Sequence, residues 1–187
     1  GSLPAADAAA DVILQAEHGP DGLAWLITWD LAVAKAVNAE IDRQVAAAPR
    51  RGDIEATLAS AGYVVVVDDV DAALAVSDRI APEHLELLVA DAEVLAARVR
   101  HAGAVFCGRY SPASVGDYLA GPSHVLPTHG TARFSSALTL DDFLRQHHTV
   151  TLDRAALERV GPHVIALAEA EGLSAHAQSI RERGVGR

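Results

Sequence analysis

The segment YVVVV, residues 63–67, decides the fold of this chain. A run of valines favours a β-strand, and apolar side chains on both of its faces are typical of a strand covered by helices on both sides. Two other apolar runs of strand length, residues 22–29 (GLAWLITW) and 104–107 (AVFC), lie before and after it. Helical segments separate the three runs, so we predict an α/β fold with an incomplete doubly wound parallel sheet flanked by helices.

Capping residues and apolar spacing mark the predicted helices. The alanine-rich residues 5–18 predict the first helix. Asp30 is a suitable N-cap for the second, in which Val37, Ile41 and Val45 recur every four positions. The remaining helices of this part are predicted from Asp53 to just before Gly62, over 71–77, from Pro82 through Leu88, and from Asp91 to just before Gly103.

The last quarter of the chain has a different pattern. We expect an incomplete Rossmann-like α/β domain over residues 1–139 and a helical tail over 140–187, with helices at 140–146, 154–170 and 175–183 and an extended piece at 149–152. The tail carries a narrow apolar stripe and no core of its own; the stripe consists of Leu157, Val160, Val164 and Leu167. A stripe of this kind must pack on something else, such as another subunit.

Composition narrows the class of protein. The chain has 187 residues, with 15 basic and 25 acidic side chains and a net charge of −10, and no cluster of Lys or Arg forms a stripe. Nucleic acid is therefore not an expected partner. The one cysteine, Cys107, excludes an internal disulfide framework, and the apolar runs are too short to cross a bilayer. We expect a cytoplasmic protein without a membrane partner.

Four short segments carry the side chains that could do chemistry: QAEH (15–18), PEH (82–84), GDY (116–118) and EGLSAH (171–176). They supply neutral nitrogen and oxygen donors, carboxylates and an acid–base pair, and zinc accepts mixed N/O ligands when sulfur is scarce. Each segment also has an ordinary structural interpretation. Gln15 and His18 would share the polar end of a helix, and Asp117 in a loop near Gly121-Pro122 would form a turn.

Glu83 and His84 leave two interpretations equally open. An adjacent acid and imidazole are suited to proton transfer, because histidine titrates near neutrality and burial can raise the pKa of a glutamate. An acidic residue after Pro82 is also typical of an ordinary helix start. Glu171 and His176 flank Gly172, where the chain should bend, so His176 would begin a new helical turn behind Ser174.

With these segments in this order, and with IAPEHLEL (80–87) and GPSHVLPTHGTARFSS (121–136) between them, the chain resembles the C-terminal half of histidinol dehydrogenase. The resemblance runs almost from Ala9 to Ile180. It implies a zinc ion held by Gln15, His18, Asp117 and His176, and a proton-transfer pair formed by Glu83 and His84. It also implies that L-histidinol is bound by Gln15, His18, His84, Asp117, Glu171 and His176.

The resemblance implies a zinc- and NAD-dependent enzyme of histidine biosynthesis. Such an enzyme oxidises L-histidinol to L-histidine through an aldehyde, in two hydride transfers to NAD. Zinc would orient the substrate, His84 would take the hydroxyl proton, and Glu83 would activate water on the aldehyde. The family is a homodimer in which the tail reaches the partner's active site, which agrees with a tail that has a stripe and no core.

The departures from the family concern mainly the extent of the chain. The family continues far upstream with a Rossmann-like nucleotide domain, and no G-x-G-x-x-G follows a strand here. We therefore expect the NAD site to lie in that upstream part. We also expect that the isolated chain does not oxidise histidinol. Ser123 stands where the family often has Asn. The alternatives are a non-catalytic zinc- or imidazole-binding module and, with Glu83 as base, a zinc hydrolase.

Overall fold

The computed structural model describes residues 4–19 and 22–184. The chain divides into two units, Gly1–Phe143 and Leu144–Arg187. The domain boundary predicted after Thr139 stays a prediction. None of the helices in the described ranges is long and apolar enough to span a membrane.

The first unit alternates helices with short strands. Its elements are α1 (Ala5–Ala16), β1 (Ala24–Thr28), α2 (Leu31–Ala47), α3 (Arg51–Ala61), β2 (Gly62–Val66), α4 (Val70–Ile80), β3 (His84–Leu87), α5 (Ala92–Ala96), β4 (Ala104–Cys107) and α6 (Ala113–Tyr118). Strand β1 pairs with β2 and strand β3 with β4, both in parallel. The predicted fold class, parallel strands flanked by helices, is confirmed.

The core of the first unit includes the apolar residues that recur every four positions in α2. Asp30 caps α2, since its side chain accepts hydrogen bonds from the backbone N–H groups of Ala32 and Val33. The buried residues of the core come from the first three helices and from β1: Ala9, Ala16, Ala24, Val37, Ile41, Val45 and Ile54. The apolar side chains that recur every four positions in α2 therefore face inward.

The segment after Pro82 is a strand, so the helix predicted through Leu88 was wrong. The backbone carbonyl of Pro82 accepts from the N–H of Gly103 at 2.9 Å, and that of Glu83 accepts from the N–H of Ala104 at 2.8 Å. These bonds begin the β3–β4 ladder, which runs from His84 opposite Ala104 to Leu87 opposite Cys107. The structure thus has four strands in two pairs where three were predicted.

Strand β2 is present, but its side chains are not covered on both faces by the residues that the structure describes. Tyr63, Val64 and Val66 are nearly half exposed. Successive side chains of a strand point to opposite faces, so both faces of β2 are accessible. A run of valines predicts an extended backbone. It does not predict burial, because burial depends on which other elements pack against the strand.

The second unit consists of α7 (Arg154–Ala170) and α8 (Ser174–Arg181). A small core of Ile165, Ala168 and Ala177 joins the two helices, so the prediction that the tail has no core of its own was wrong. The predicted stripe lies on a different face of α7, where Leu167 is 67% exposed.

Two predictions for the segment before α7 were wrong. The helix predicted over 140–146 is reduced to a 3₁₀ turn at Leu140–Phe143, and residues 149–152 form no strand.

Candidate functional site

A cavity of about 1050 Å³ lies in the first unit. Its lining includes four of the side chains that the sequence singled out, Gln15, His18, Glu83 and His84. The sequence places these residues on two segments far apart in the chain, and the fold brings both segments to one cavity. A large concave site with a few converging polar groups is the usual setting for a small ligand.

His84 lies between two other predicted site residues. Its Nδ1 atom is 3.2 Å from Oε1 of Gln15, and its Nε2 atom is 3.4 Å from Oδ1 of Asp117. An amide oxygen only accepts hydrogen bonds, so the contact with Gln15 is a hydrogen bond in the tautomer of the neutral ring that carries its proton on Nδ1. The unprotonated nitrogen is then Nε2, which faces Asp117.

The Nε2 atom of His84 is buried and has no hydrogen-bond partner among the described residues. Its approach to Asp117 is within ion-pair distance but is not aligned as a hydrogen bond. A buried polar atom without a partner carries a free-energy cost, which a bound substrate or a transferred proton would remove. The side chain is only 7% exposed. The arrangement therefore suits His84 to accept a proton in a site with little access to bulk water.

Asp117 reaches His84 from a helix, so the prediction that it lies in a loop was wrong. It is the fifth residue of α6, which follows β4. The preceding Gly116 explains the close approach: a Cβ atom there would lie 2.5 Å from the ring of Phe106 on β4. The same ring stands beside His84, with centroids 5.8 Å apart. Absence of a side chain at 116 thus lets α6 bring Asp117 to the histidine.

Gln15 and His18 lie at the end of α1. The helix ends at Ala16 with Glu17 as its C-cap, so Gln15 is in the last turn and His18 lies just beyond it. His18 is exposed on its outer side, and both residues line the cavity.

Glu83 is held by the β3–β4 ladder. Its backbone carbonyl begins the pairing with β4, and its half-buried side chain lines the cavity beside His84. The strand therefore fixes the backbone from which both members of the predicted proton-transfer pair project.

Glu171 and His176 lie in the second unit. Glu171 is the C-cap of α7, and Gly172 has a φ of +73°, a backbone conformation that favours glycine. His176 is the third residue of α8, so the predicted bend is present. Both side chains are exposed. Their convergence with the residues of the first unit stays a prediction.

Sequence reasoning missed the carboxyl pair Asp11 and Glu86, which also lines the cavity. The N–H of Ala113, the first residue of α6, donates to Oε1 of Glu86 at 2.5 Å. Burial, and next the hydrogen-bonding carboxyl of Asp11, raise the pKa of Glu86 to about 8. His84 and Glu86 are two positions apart, which places them on one face of a strand. A helix prediction for residues 82–88 does not place His84 and Glu86 on one face, and for that reason it missed Glu86.

The predicted metal ligands form no cluster of the usual composition. Among the residues that the structure describes, no group of three or more His, Cys, Asp or Glu side chains is placed to hold a metal ion. Gln15 falls outside those residue types, and of the predicted ligands in the first unit only His18 and Asp117 belong to them. The ligand set stays a prediction.

Known proteins resemble this chain over nearly its whole length. A family model described as histidinol dehydrogenase matches residues 2–184. Histidinol dehydrogenases from Nitratidesulfovibrio vulgaris and Thermobifida fusca are both 51% identical, over 175 and 176 residues, or 94% of this chain and 40% of each relative. A crystal structure of histidinol dehydrogenase from Elizabethkingia anophelis superposes with a TM-score of 0.93 at 32% identity, covering 97% of this chain and 42% of that one. The chain thus spans about 40% of the length of the curated relatives it matches.

Proposed function

Because the chain belongs to the histidinol dehydrogenase family, we propose that it carries the zinc and proton-transfer residues for the NAD-dependent oxidation of L-histidinol to L-histidine. The observation that carries the proposal is the position of His84, between Gln15 and Asp117 at a large cavity. Gln15 and Asp117, from separate parts of the chain, both contact the imidazole of His84. All three residues belong to the motifs that resemble the family.

The donor chemistry of the site is compatible with zinc. We propose Gln15, His18 and Asp117 as ligands, with His176 from the second unit as the fourth. An imidazole, a carboxylate and amide oxygen are donors that zinc accepts, and Gln15 and Asp117 both reach the ring of His84. When bound, zinc would orient the imidazole and amino group of the substrate, and NAD would accept hydride in both oxidations. We assign no residue of this chain to NAD.

His84 is proposed as the base of the first oxidation. The contact with Gln15 holds the ring proton on Nδ1, so Nε2 is free to take the hydroxyl proton while the adjacent C–H bond loses hydride. The resulting imidazolium would face the Asp117 carboxylate, 3.4 Å away, which stabilises the positive charge. Asp117 would then serve both as a metal ligand and as a partner of the protonated ring.

Glu83 is proposed as the base of the second oxidation. Water adds to the aldehyde as its proton passes to the Glu83 carboxylate, which gives the anion of the aldehyde hydrate. The C–H bond of this anion then loses hydride to NAD and leaves the carboxylic acid. The half-buried position of Glu83 at the cavity supports this role. The two proposed bases are neighbours in the chain, so the start of one short strand would serve both steps.

The tail and the location of the protein extend the same proposal. We propose that Glu171 and His176 contribute to the substrate site, and that the chain acts in a homodimer in the cytoplasm. The exposed stripe on α7 supports a role for the tail as a contact surface, since Val160, Val164 and Leu167 are not used by the core of the second unit.

Binding of L-histidinol tests the proposal in the chain itself. Calorimetry with the zinc-loaded protein should detect histidinol binding that disappears when a chelator removes zinc. His84→Asn should weaken this binding, whereas His147→Asn, at an exposed position of the second unit, should not. Binding that is indifferent to zinc and to His84 would overturn the proposed site.

Turnover separates an enzyme from a non-catalytic zinc- or imidazole-binding module. A chimera in which this chain replaces the matching C-terminal part of the Nitratidesulfovibrio vulgaris relative should form NADH from histidinol and NAD. A folded chimera that binds histidinol and forms no NADH would favour the non-catalytic module.

A further inference from the structure

Strand β3 presents two polar side chains to the same two helices. His84 contacts Gln15 of α1 and Asp117 of α6. Glu86 accepts a hydrogen bond from the backbone N–H of Ala113 in α6, and the carboxyl group of Asp11 in α1 is near enough to raise its pKa. The spacings match, because two residues along a strand rise about 6.6 Å and four residues along a helix rise about 6 Å. The contacts of Glu86 therefore form a second layer, parallel to those of His84.

A bound proton would satisfy the hydrogen bonding of that second layer. Oε1 of Glu86 accepts from Ala113, but Oε2 is buried and has no donor among the described residues. The Asp11 carboxyl is close enough to form a side-chain hydrogen bond with Glu86. Two neighbouring carboxylates that are both partly buried repel each other, whereas one shared proton allows a hydrogen bond between them.

We propose that Glu86 is a positioning residue: together with Asp11 it forms a carboxyl pair that holds one proton and fixes α1 and α6 about β3. The pair thereby sets the places of Gln15 and Asp117 at the two nitrogens of His84. The inference rests on the proposed function for the roles of those three residues. The pair itself does not depend on zinc or substrate.

Other titratable side chains lie on the elements around the pair. On β3 the nearest titratable side chain is His84, and the residue paired with Glu86 on β4 is the uncharged Phe106. One turn before Asp11 on α1, Asp7 forms an ion pair with Arg109 at 2.6 Å. Glu93 of α5 is exposed and provides a matched control.

Infrared spectroscopy of the metal-free protein tests the shared proton. We expect the absorption of a protonated carboxyl group at neutral pH, lost in both Glu86→Gln and Asp11→Asn and kept in Glu93→Gln. In each of the first two variants an amide donor replaces the shared proton, so the remaining carboxyl ionises. A signal that persists in both variants, or that is missing from the wild type, would overturn the pair.

Hydrogen exchange and zinc titration test the positioning role. Glu86→Ala should raise amide exchange in α6 by about tenfold or more and should weaken binding of zinc alone by about tenfold or more. Glu86→Gln keeps an acceptor for Ala113 and gains a donor for Asp11, so it should restore both. Glu86→Ala with exchange and zinc binding like the wild type would overturn the role.

The two experiments keep this inference distinct from the proposed function. If the wild type binds no zinc but shows the carboxyl signal and the Glu86-dependent protection of α6, the proposed metal site fails and the pair stands. If Glu86→Ala does not fold, the infrared result for Glu86→Gln and Asp11→Asn still decides whether the carboxyl pair holds a proton.

Discussion

The Nε2 atom of His84 lies 3.4 Å from Oδ1 of Asp117, and this contact joins the first residue of β3 to α6. It is possible because α6 approaches β4 without a side chain at position 116. The geometry gives the imidazole an acceptor on one nitrogen and a carboxylate near the other, which suits it to proton transfer.

Substitution of Gly116 should disturb that approach. In Gly116→Ala the added methyl group would meet the ring of Phe106 at 2.5 Å, so we expect a loss of about 1–3 kcal/mol in the free energy of unfolding. Gly52→Ala in α3 is the control, because nothing lies within 4 Å of its Cβ position. Urea unfolding of both variants measures the difference; equal stability would show that α6 can shift without cost.

Loss of a proposed ligand should weaken zinc binding. We expect His18→Ala and Asp117→Asn each to raise the Kd for zinc at least tenfold, about 1.4 kcal/mol, because the remaining donors leave the ion under-coordinated. His147→Ala and Asp42→Asn, at exposed positions, are the matched controls. Four variants with the affinity of the wild type would remove these two residues from the metal site.

Glu83 and His84 should separate kinetically in the chimera with the Nitratidesulfovibrio vulgaris relative. His84→Asn should slow oxidation of histidinol, and Glu83→Gln should mainly slow oxidation of histidinal, since only that step needs an activated water. General acid–base groups contribute about 10²–10⁴-fold. Histidinal supplied directly isolates the second half-reaction, and a wild-type rate in Glu83→Gln would exclude Glu83 as its base.

The raised pKa of Glu86 should make stability depend on pH. Its folded-state pKa of about 8 exceeds the ordinary value of 4.5, so between these values the folded protein keeps a proton that the unfolded chain has released. The contribution of Glu86 to stability is therefore fully present below the lower value and is lost as the pH rises toward 8. The slope should be a fraction of about 1.4 kcal/mol per pH unit, because Glu86 is only partly buried and solvent screens it.

Urea unfolding across this pH range checks the slope. Glu86→Gln should flatten it, and Glu93→Gln, which changes an exposed carboxylate of α5, should leave it unchanged. Stability of the wild type that rises toward pH 8 as strongly as that of Glu86→Gln would contradict the assignment.

The sequence by itself determined the local elements and the candidate residues. Asp30 and the apolar spacing of Val37, Ile41 and Val45 predicted α2, and the bounds of α7 agree with those predicted, because caps and periodicity act within a few turns. The motifs predicted Gln15, His84 and Asp117 as site residues, and these three meet in the structure.

Only the tertiary structure decided how those parts meet. Residues 82–88 start like a helix, yet β4 supplies backbone partners that a local pattern does not reveal, and the segment becomes β3. The same pairing places Glu86 on the face of His84 and brings Asp11 to it. The hydrogen-bonding partner of Nδ1 of His84 and the raised pKa of Glu86 both depend on groups that are distant in sequence. Protonation is set by contacts and burial in three dimensions, and no stretch of sequence carries that information alone.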